Sequence, residues 1–315
     1  MNMLKKESII KMLDKEPIEG LAFVVSYSVL PQKNGGRYVG GKLMCAGSVP
    51  FKVWSARSGE PGAFNSIVEQ GIDFSGCTCY VKGTVNIYNG ECSIIVNQIA
   101  KVGLDELSKA GVSEGDFFEE VYDRENLFSN IHKAISSSCS KGACEVFSSI
   151  IDKVKDRFMT EFAAINHHDN VRGGLVAHSW KVLKLSTIIK MYPALYEKVS
   201  ADLLYLGAAI HDIGKIYEYY NGSISEVGKI VSHSTIGVET LVLARDEITE
   251  KLGLEFYYNL LAVVSQHHGE FGERPRTIAS YVLHLLDSLE ATLTDLNTLV
   301  QENKGSIRYG DYTLS

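Results

Sequence analysis

No run in this 315-residue sequence approaches the roughly 18 consecutive apolar residues that a membrane-spanning helix needs. A secretory core is missing too: Lys5 and Lys6 are followed by Ile9, Ile10, Met12 and Leu13 interleaved with Lys11, Asp14 and Lys15, which is amphipathic rather than an apolar h-region. The six cysteines, Cys45, Cys77, Cys79, Cys92, Cys139 and Cys144, show no paired C-x-x-C spacing. Neither a zinc cluster nor a secreted disulfide framework is signalled, and reduced thiols in a cytoplasm are expected. Positive charge is also short. With 31 Lys and Arg against 38 Asp and Glu the formal net charge is -7, which argues against coating nucleic acid through bulk charge and leaves room only for a local basic groove. There is no internal repeat and no low-complexity block.

What is present divides into two halves of different period. At 45% hydrophobic residues the chain is expected to bury two cores rather than one, because single cores stop growing near about 250 to 300 residues. From Leu21 to Val102 short β-rich runs alternate with turn residues: Leu21 to Leu30, the Asn34-Gly35-Gly36 turn, Tyr38 to Ala46, Val49 to Ser55, Cys77 to Tyr88, and Glu91 to Ala100. Asn89-Gly90 between the last two is a hairpin signal. Five strands with a helical stretch near Ala63 to Gln70 between the third and fourth fit an OB-fold-like barrel, preceded by a short helix near Lys5 to Lys15. After Gly103 the apolar residues recur at three and four. Helices are expected near Ser113 to Ser138, Gly142 to Ile165, Gly174 to Met191, Ala201 to Tyr217, Ser234 to Leu252, Glu255 to His268 and Pro275 to Val300. The expected fold class is two-domain α+β: a barrel over residues 1–103, a helical connector over 104–150 and an all-α domain over 151–315.

Eight of the nine histidines fall between residues 167 and 284, and only His132 lies outside. His167-His168, His178, His211-Asp212, His233, His267-His268, His284 and Asp287 stand on or at the ends of different predicted helices, which side by side can point such groups into one cavity. A single histidine on an apolar helix face is ordinarily a hydrogen-bonded core residue, and that reading suits His132 and extends to His284. It does not account for the rest of the set. Imidazole with carboxylate suits first-row divalent metals, Mn, Fe, Co or Zn, whereas an all-oxygen set would suit Mg or Ca. Asp212, adjacent to His211, is the natural bridging group, able to hold two ions about 3.5 to 4 Å apart that polarise water for in-line attack on phosphorus.

His178, the string His211-Asp212-Ile213-Gly214-Lys215, and Asp287 resemble the H…HD…D signature of the HD-domain phosphohydrolase superfamily, and His233 and His267-His268 resemble the extra ligands of its two-metal members. A closer resemblance covers most of the chain. His167-His168, Gly173-Gly174-Leu175-Val176-Ala177-His178, the HDIGK string, His267-His268-Gly269 and Leu283-His284-Leu285-Leu286-Asp287, following an OB-like barrel, are similar to the bacterial 3′-to-5′ exoribonucleases of the YhaM type. In the barrel, Asn34-Gly35 followed by Tyr38, and Phe51-Lys52-Val53-Trp54, follow that family's strand pattern. The sequence departs from it at Asn170, where the family has an aromatic residue, at Arg172 in place of a small residue, at Ala177 in place of glutamate, and at Gln266 in place of serine. These positions fall around the expected cavity and bear on substrate preference, not on the ligands.

The resemblance implies that His178, His211, Asp212 and Asp287 hold a first metal, and that Asp212 is shared with a second completed by His233 and His267. His268 is a further ligand or orients one. Lys215, three residues after Asp212, would face the bound phosphate, neutralising charge or protonating the leaving 3′-oxygen. His284, three residues before Asp287, shares its helix face and is expected to support a ligand rather than be one. His167, His168 and Arg172 precede the Gly173-Gly174 pair, where glycines let the backbone approach closely; His168 and Arg172 are expected to touch substrate, with loop packing the competing reading for the histidines. In the barrel, strand alternation puts Lys52 with Trp54, and Tyr80, Lys82 and Tyr88, on faces where aromatics interleave with cations, as a single strand requires; Trp54 as plain barrel core is the competing reading. Three functions stay open at this point. The first is a metal-dependent 3′-to-5′ exonuclease on single-stranded RNA or DNA, releasing nucleoside 5′-monophosphates. The second is a phosphodiesterase or phosphatase of small nucleotides or cyclic dinucleotides, and the third a non-catalytic strand-binding protein. Single-stranded nucleic acid is the expected partner, no membrane is, and a homo-oligomer is compatible with the sequence.

Overall fold

In the computed structural model of the protein, the described residues are 2–33, 35–55, 61–164, 171–220, 222–302, 307–309 and 312–314. They form two compact units, residues 1–119 with 221–223, and residues 120–220 with 224–315.

The first unit opens with a short helix, α1 (Lys6–Ile9), and five strands follow: β1 (Pro17–Pro31), β2 (Arg37–Met44), β3 (Ser48–Trp54), β4 (Cys77–Tyr88) and β5 (Glu91–Lys101). Neighbouring strands run β1-β2-β3-β5-β4 and close into a barrel, the parallel β3–β5 pairing sealing it at Phe51 against Ile94. This is the OB-like barrel that the strand pattern predicts. Its interior is built from alternate residues, among them Val39, Leu43, Phe51, Val53, Val81, Val85, Ile94 and Val96, all buried, because successive side chains of a strand point to opposite faces. Gly41 makes room for that core: a Cβ there would lie 2.7 Å from the Phe51 ring and 2.3 Å from the Ser26 carbonyl. The Asn89-Gly90 turn has positive φ at both positions, 51° and 81°, as a two-residue hairpin requires, and it leaves Tyr88 paired with Glu91. Between β3 and β4 the predicted helical stretch appears as Asn65–Glu69.

The second unit is built around α8 (Ala201–Ile210), whose residues Leu203 to Ile210 are all buried. Gly207 permits close approach of its neighbour, since a Cβ would fall 2.7 Å from Val263. Around it, in chain order after α2 (Leu104–Lys109) of the first unit, stand α3 (Arg124–Ser138), α4 (Lys141–Ile151), α5 (Lys155–Thr160), α6 (Gly174–Ser186) and α7 (Pro193–Val199). After α8 come α9 (Lys215–Glu218), α10 (His233–Leu243), α11 (Arg245–Leu252), α12 (Leu254–Gln266) and α13 (Ile278–Glu302). Ser140 and Ser200 cap α4 and α8, accepting from the amides of Ala143 and Leu203, the usual device for satisfying the free N–H groups of a first turn.

Several expectations change. The stretch 104–150, read as a connector, is divided between the units. Leu107 and Phe117 are buried in the first, where Phe118 packs edge-on against Phe23 at 5.0 Å; Phe128, Ile131, Val146 and Phe147 belong to the helical core. Long predicted helices are broken into pairs, as at Ala201 to Tyr217, which stops at Ile210 and resumes at Lys215. The C-terminal half is not wholly helical either: Ile307–Tyr309 pairs antiparallel with Tyr312–Leu314. His132 sits between the rings of Phe128 and Phe147, at 4.7 and 4.9 Å, half-buried at the edge of the helical core rather than within it as expected, and its Nε2 has no hydrogen-bond partner. Among the described residues no helix is long and apolar enough to cross a membrane, and all six cysteines are free.

Candidate metal centre

The helix breaks are what build the site. After Ile210 the chain turns, and His211 and Asp212 lie in that turn, wholly buried or nearly so. Gly214 is required there, because a Cβ would meet the His233 carbonyl at 2.0 Å and the Gly237 amide at 2.8 Å. This contact sets the start of α10, which begins at His233, against the His211-Asp212 turn. His178 comes from the middle of α6, His267 and His268 from the end of α12, and Asp287 from α13.

Two groups of potential ligands result, His178 with His211 and Asp287, and His233 with His267 and His268, and Asp212 stands between them. Its Oδ2 lies 3.3 Å from His178 Nε2 and 3.4 Å from His211 Nε2. Its Oδ1 lies 3.5 Å from His233 Nε2 and 3.4 Å from His267 Nε2. Asp287 Oδ1 closes the first group at 3.1 Å from His178 and 3.7 Å from His211. Donor atoms bound to one ion at about 2.0 to 2.2 Å stand roughly 3.0 to 3.4 Å apart, so most of these spacings match the edges of a coordination polyhedron.

The other ring nitrogens explain why every Nε2 points inward. His211 Nδ1 donates to the Ala208 carbonyl at 3.1 Å and His267 Nδ1 to that of Val264 at 2.8 Å. His178 Nδ1 is held by Glu290 Oε2 at 2.6 Å and His233 Nδ1 by Glu218 Oε2 at 2.6 Å. Fixing the proton on Nδ1 frees the Nε2 lone pair for a metal. Glu290 is itself held by Lys181 at 2.9 Å and Thr294 at 2.7 Å, and Glu218 also accepts from the His233 backbone amide at 2.8 Å. Sequence reasoning missed both glutamates. Glu290 carried a signal, lying three residues after Asp287 on one helix face, whereas Glu218 lies in no pattern with His233.

Two buried atoms test whether the residues fit an ion. Asp212 Oδ1 and His267 Nε2 are buried without a hydrogen-bond partner, and burying an unpaired carboxylate oxygen costs several kcal/mol unless a cation or donor meets it. His233 Nε2 and His268 Nε2 face each other at 2.7 Å, a contact of two lone pairs unless a proton or a metal ion lies between or beside them. The donor set, imidazole plus carboxylate, suits a first-row divalent ion. The residues fit.

The electrostatics divide in the same way. Burial opposes the charged form of His178 and His211, but Asp212 and Asp287, with Glu290 at His178, outweigh it, raising His178 well above its ordinary value and His211 to about 9. Burial likewise opposes the carboxylates, yet Lys215 and the histidines hold Asp212, and His178 and His211 hold Asp287, well below the usual range. On the other side burial dominates. It lowers His267, and with His267 alongside it lowers His268 to about 3, so these two offer neutral lone pairs.

Lys215 Nζ donates to Asp212 Oδ2 at 2.7 Å, the tight turn from the Asp212 carbonyl to the Lys215 amide keeping both on one side. A cavity of about 350 Å³ opens there, lined by Lys215, His178, His267, His268, Asp287 and Tyr309. His284 does not face this cluster of Nε2 atoms; its Nδ1 donates to the His267 carbonyl at 2.8 Å. Arg172 pairs with Glu120 at 3.4 Å, and Gln266 accepts from the Arg276 amide and Ser280 hydroxyl, tying α12 to α13. His167, His168, Asn170 and Asn34 lie outside the described residues. In the barrel, Trp54 is 46% exposed, which sets aside the reading as core. It packs on Tyr38 at 5.1 Å with Lys52 above its ring at 5.9 Å, beside the bare backbone of Gly40 that pairs with Lys52. Lys82 pairs with Glu19 at 3.4 Å, and Tyr88 is exposed.

Residues 175–292 match the HD domain family. The chain is 26% identical over 269 residues to the 3'-5' exoribonuclease YhaM of Listeria monocytogenes serotype 4b (strain CLIP80459), covering 82% of this chain and 80% of that protein. To the protein of that name from Listeria innocua it is 27% identical over 271 residues, with the same coverage. The second OB-fold domain of replication protein A from Methanococcus maripaludis aligns with 30% of this chain and 91% of its own at 17% identity and a TM-score of 0.21.

Proposed function

We propose that this chain, whose residues 175–292 are an HD domain, is a 3′-to-5′ exonuclease on single-stranded RNA, with single-stranded DNA as a second substrate. The observation that carries the proposal is the placement of Asp212, each oxygen turned to a different histidine group and Oδ1 buried without a partner. Divalent ions, Mn²⁺ in our reading and Fe, Co or Zn as alternatives, would be held by His178, His211 and Asp287 on one side and His233, His267 and His268 on the other, with Asp212 shared. When bound they would supply Lewis acidity and an acidified water near neutral pH.

The protein's own groups do the rest. Glu290 and Glu218 hold Nδ1–H of His178 and His233, so that Nε2 is the nitrogen each ring would turn to an ion, His178 giving up its Nε2 proton as the ion binds. Lys215 brings an ammonium to the wall of the cavity, where it offsets charge on the phosphoryl oxygens and can give a proton to the leaving 3′-oxygen. Water adds to phosphorus, the P–O3′ bond breaks, and the products are a nucleoside 5′-monophosphate and a strand one nucleotide shorter. The barrel holds the strand through the stacked Tyr38 and Trp54 and the cations Lys52 and Lys42, a role that aromatics interleaved with lysines serve well. Support for RNA as substrate comes from the name shared by the two Listeria relatives. The free cysteines support a cytoplasmic setting. An exposed apolar line on α13, Ile278, Tyr281, Leu285, Leu289, Leu293 and Val300, supports self-association through a face that a second copy would cover.

The test is to strip metal from the protein, add back Mn²⁺, and follow 5′-labelled single-stranded RNA and DNA beside Asp212→Ala. A ladder shortening from the 3′ end, abolished by Asp212→Ala, is expected. Intact oligonucleotides with metal-dependent turnover of nucleotides or cyclic dinucleotides would overturn the exonuclease and keep the metal site. Strand binding with no hydrolysis of either would leave only a binding protein.

A further inference from the structure

Among the described residues, two cavities share lining at the metal centre. Besides the one over Lys215 and Asp287, a larger cavity of about 670 Å³ lies between α10 and α12, with His233 and His268 in its lining. Tyr258, Val238 and Leu261 give it apolar walls, and Ser234, Ser265 and Gln266 give it polar ones. A volume of this order, apolar with a few convergent polar groups, is that of a small-molecule site. His268 and Phe271 line both cavities.

Phe271 is 96% exposed. A single exposed apolar side chain is ordinary on a protein surface, so exposure alone says nothing; its position does. It stands three residues after His268, on a turn closed by the Phe271 amide donating to the His268 carbonyl at 3.2 Å. That turn is fixed from beneath. Gly269 has φ +58°, and the His284 ring occupies the place its Cβ would take, at 2.4 Å. The same His284 holds the His267 carbonyl. The phenyl ring is therefore carried on a tied turn, at the junction of two cavities that flank the ligands.

We propose that Phe271 is a base-stacking residue of the catalytic domain, set between the nucleotide being released and the one behind it, and that the 670 Å³ cavity takes one of these two nucleotides. The inference rests on the exonuclease reading. Cleaving a terminal phosphodiester needs a nucleotide on each side of the phosphorus, and the two cavities on either side of His268 supply two places. Stacking is indifferent to base identity, since every base has a π-face, which suits an enzyme that removes successive nucleotides of any sequence.

The experiment compares the wild-type holoenzyme with Phe271→Ala, Phe271→Leu and Phe271→Trp in Mn²⁺, on oligoribonucleotides that are intact or abasic at the last or next-to-last position. Stacking on one aromatic ring changes affinity by about five- to 150-fold. Phe271→Ala is expected to lose kcat/KM within that range on intact RNA, chiefly through KM, Phe271→Leu to fall with it, and Phe271→Trp to retain activity. Removing one of the two terminal bases should cost the wild type a similar factor and cost Phe271→Ala little more, because the partner ring is already gone. Thermal unfolding and Mn²⁺ titration should be unchanged in all variants. Unaltered kcat/KM in Phe271→Ala overturns the proposal, as does an abasic penalty equal in wild type and variant. Wild-type protein inert on every oligonucleotide overturns the exonuclease reading and this inference with it, a result distinct from an active wild type indifferent to Phe271.

Discussion

Replacing Glu218 by glutamine changes one atom and should separate the two halves of the metal centre. The carboxylate accepts twice from one residue, Oε2 from His233 Nδ1–H at 2.6 Å and Oε1 from the His233 amide at 2.8 Å. A glutamine has one acceptor oxygen, so its NH₂ must face one of two donors. If it faces the backbone amide, the start of α10 is pushed away from the cluster. If it faces the ring, His233 can escape only by moving its proton to Nε2, which removes the lone pair that would bind metal. A hydrogen bond to a charged group is worth about 1.5 to 3 kcal/mol, which is roughly a ten- to 150-fold change in affinity. The consequence is confined to the side built from His233, His267 and His268, because His178 and His211 take their orientation from Glu290 and the Ala208 carbonyl. Calorimetric titration of chelator-stripped protein with Mn²⁺ should show two binding events in the wild type, and in Glu218→Gln one of them weaker by about ten- to 100-fold with the other in place. If both events weaken equally, or neither does, the assignment of Glu218 to one ion is refuted.

Four further outcomes follow from the same geometry. His178 and His211 hold protons at pH 7 in metal-free protein, His211 with its value near 9, so metal loading there should release about two protons and the apparent affinity should rise with pH; calorimetry in buffers of different ionisation heat measures this. Without metal the same imidazoliums stabilise the fold fully below about pH 6.5, a contribution lost as the pH rises through about 9 for His211, so the melting temperature of stripped protein should fall across that window and that of loaded protein should not follow it. Gly214→Ala should destabilise by about 1 to 3 kcal/mol in urea because its Cβ would collide with the His233 carbonyl, and should depress activity further by moving His233. Trp54→Ala, at a half-exposed position, should leave the melting temperature within a degree or two while weakening single-strand binding by about five- to 150-fold, read by fluorescence anisotropy in the inactive Asp212→Ala background.

How much of this was legible beforehand depends on whether the information is local. The barrel strands and the Asn89-Gly90 turn follow from alternation and turn chemistry within a few residues, and the strands appear close to their expected limits. The candidate ligands were legible because each is an imidazole or carboxylate where an apolar helix would otherwise continue, and because the HDIGK string is continuous. The breaks in the helices were not. Periodicity carries Ala201 to Tyr217 through as one helix, and only the contact of Gly214 with His233, made in three dimensions, shows why it stops at Ile210 and turns. The supporting glutamates were hidden for the same reason: Glu290 meets His178 across 112 residues, and a carboxylate on a helix is ordinarily read as a solvated one.

That asymmetry bears on what the departures from the exoribonuclease pattern mean. Gln266, standing where serine is expected, carries the Arg276 amide and Ser280 hydroxyl at the α12–α13 junction, one residue before His267. Arg172 is engaged by Glu120. Neither is a candidate ligand; Gln266 ties α12 to α13, so that change acts on how two ligand-bearing helices are joined, whereas Arg172 makes only a half-exposed ion pair. Under the proposed function, contact with substrate then falls to side chains that face the open cavities. Phe271 and Tyr258 fit that description, the first fully exposed on a turn fixed from below, the second half-exposed on α12. Under the proposed function the chemistry would rest on groups that are buried and doubly held, and the grip on the strand on those free to touch it.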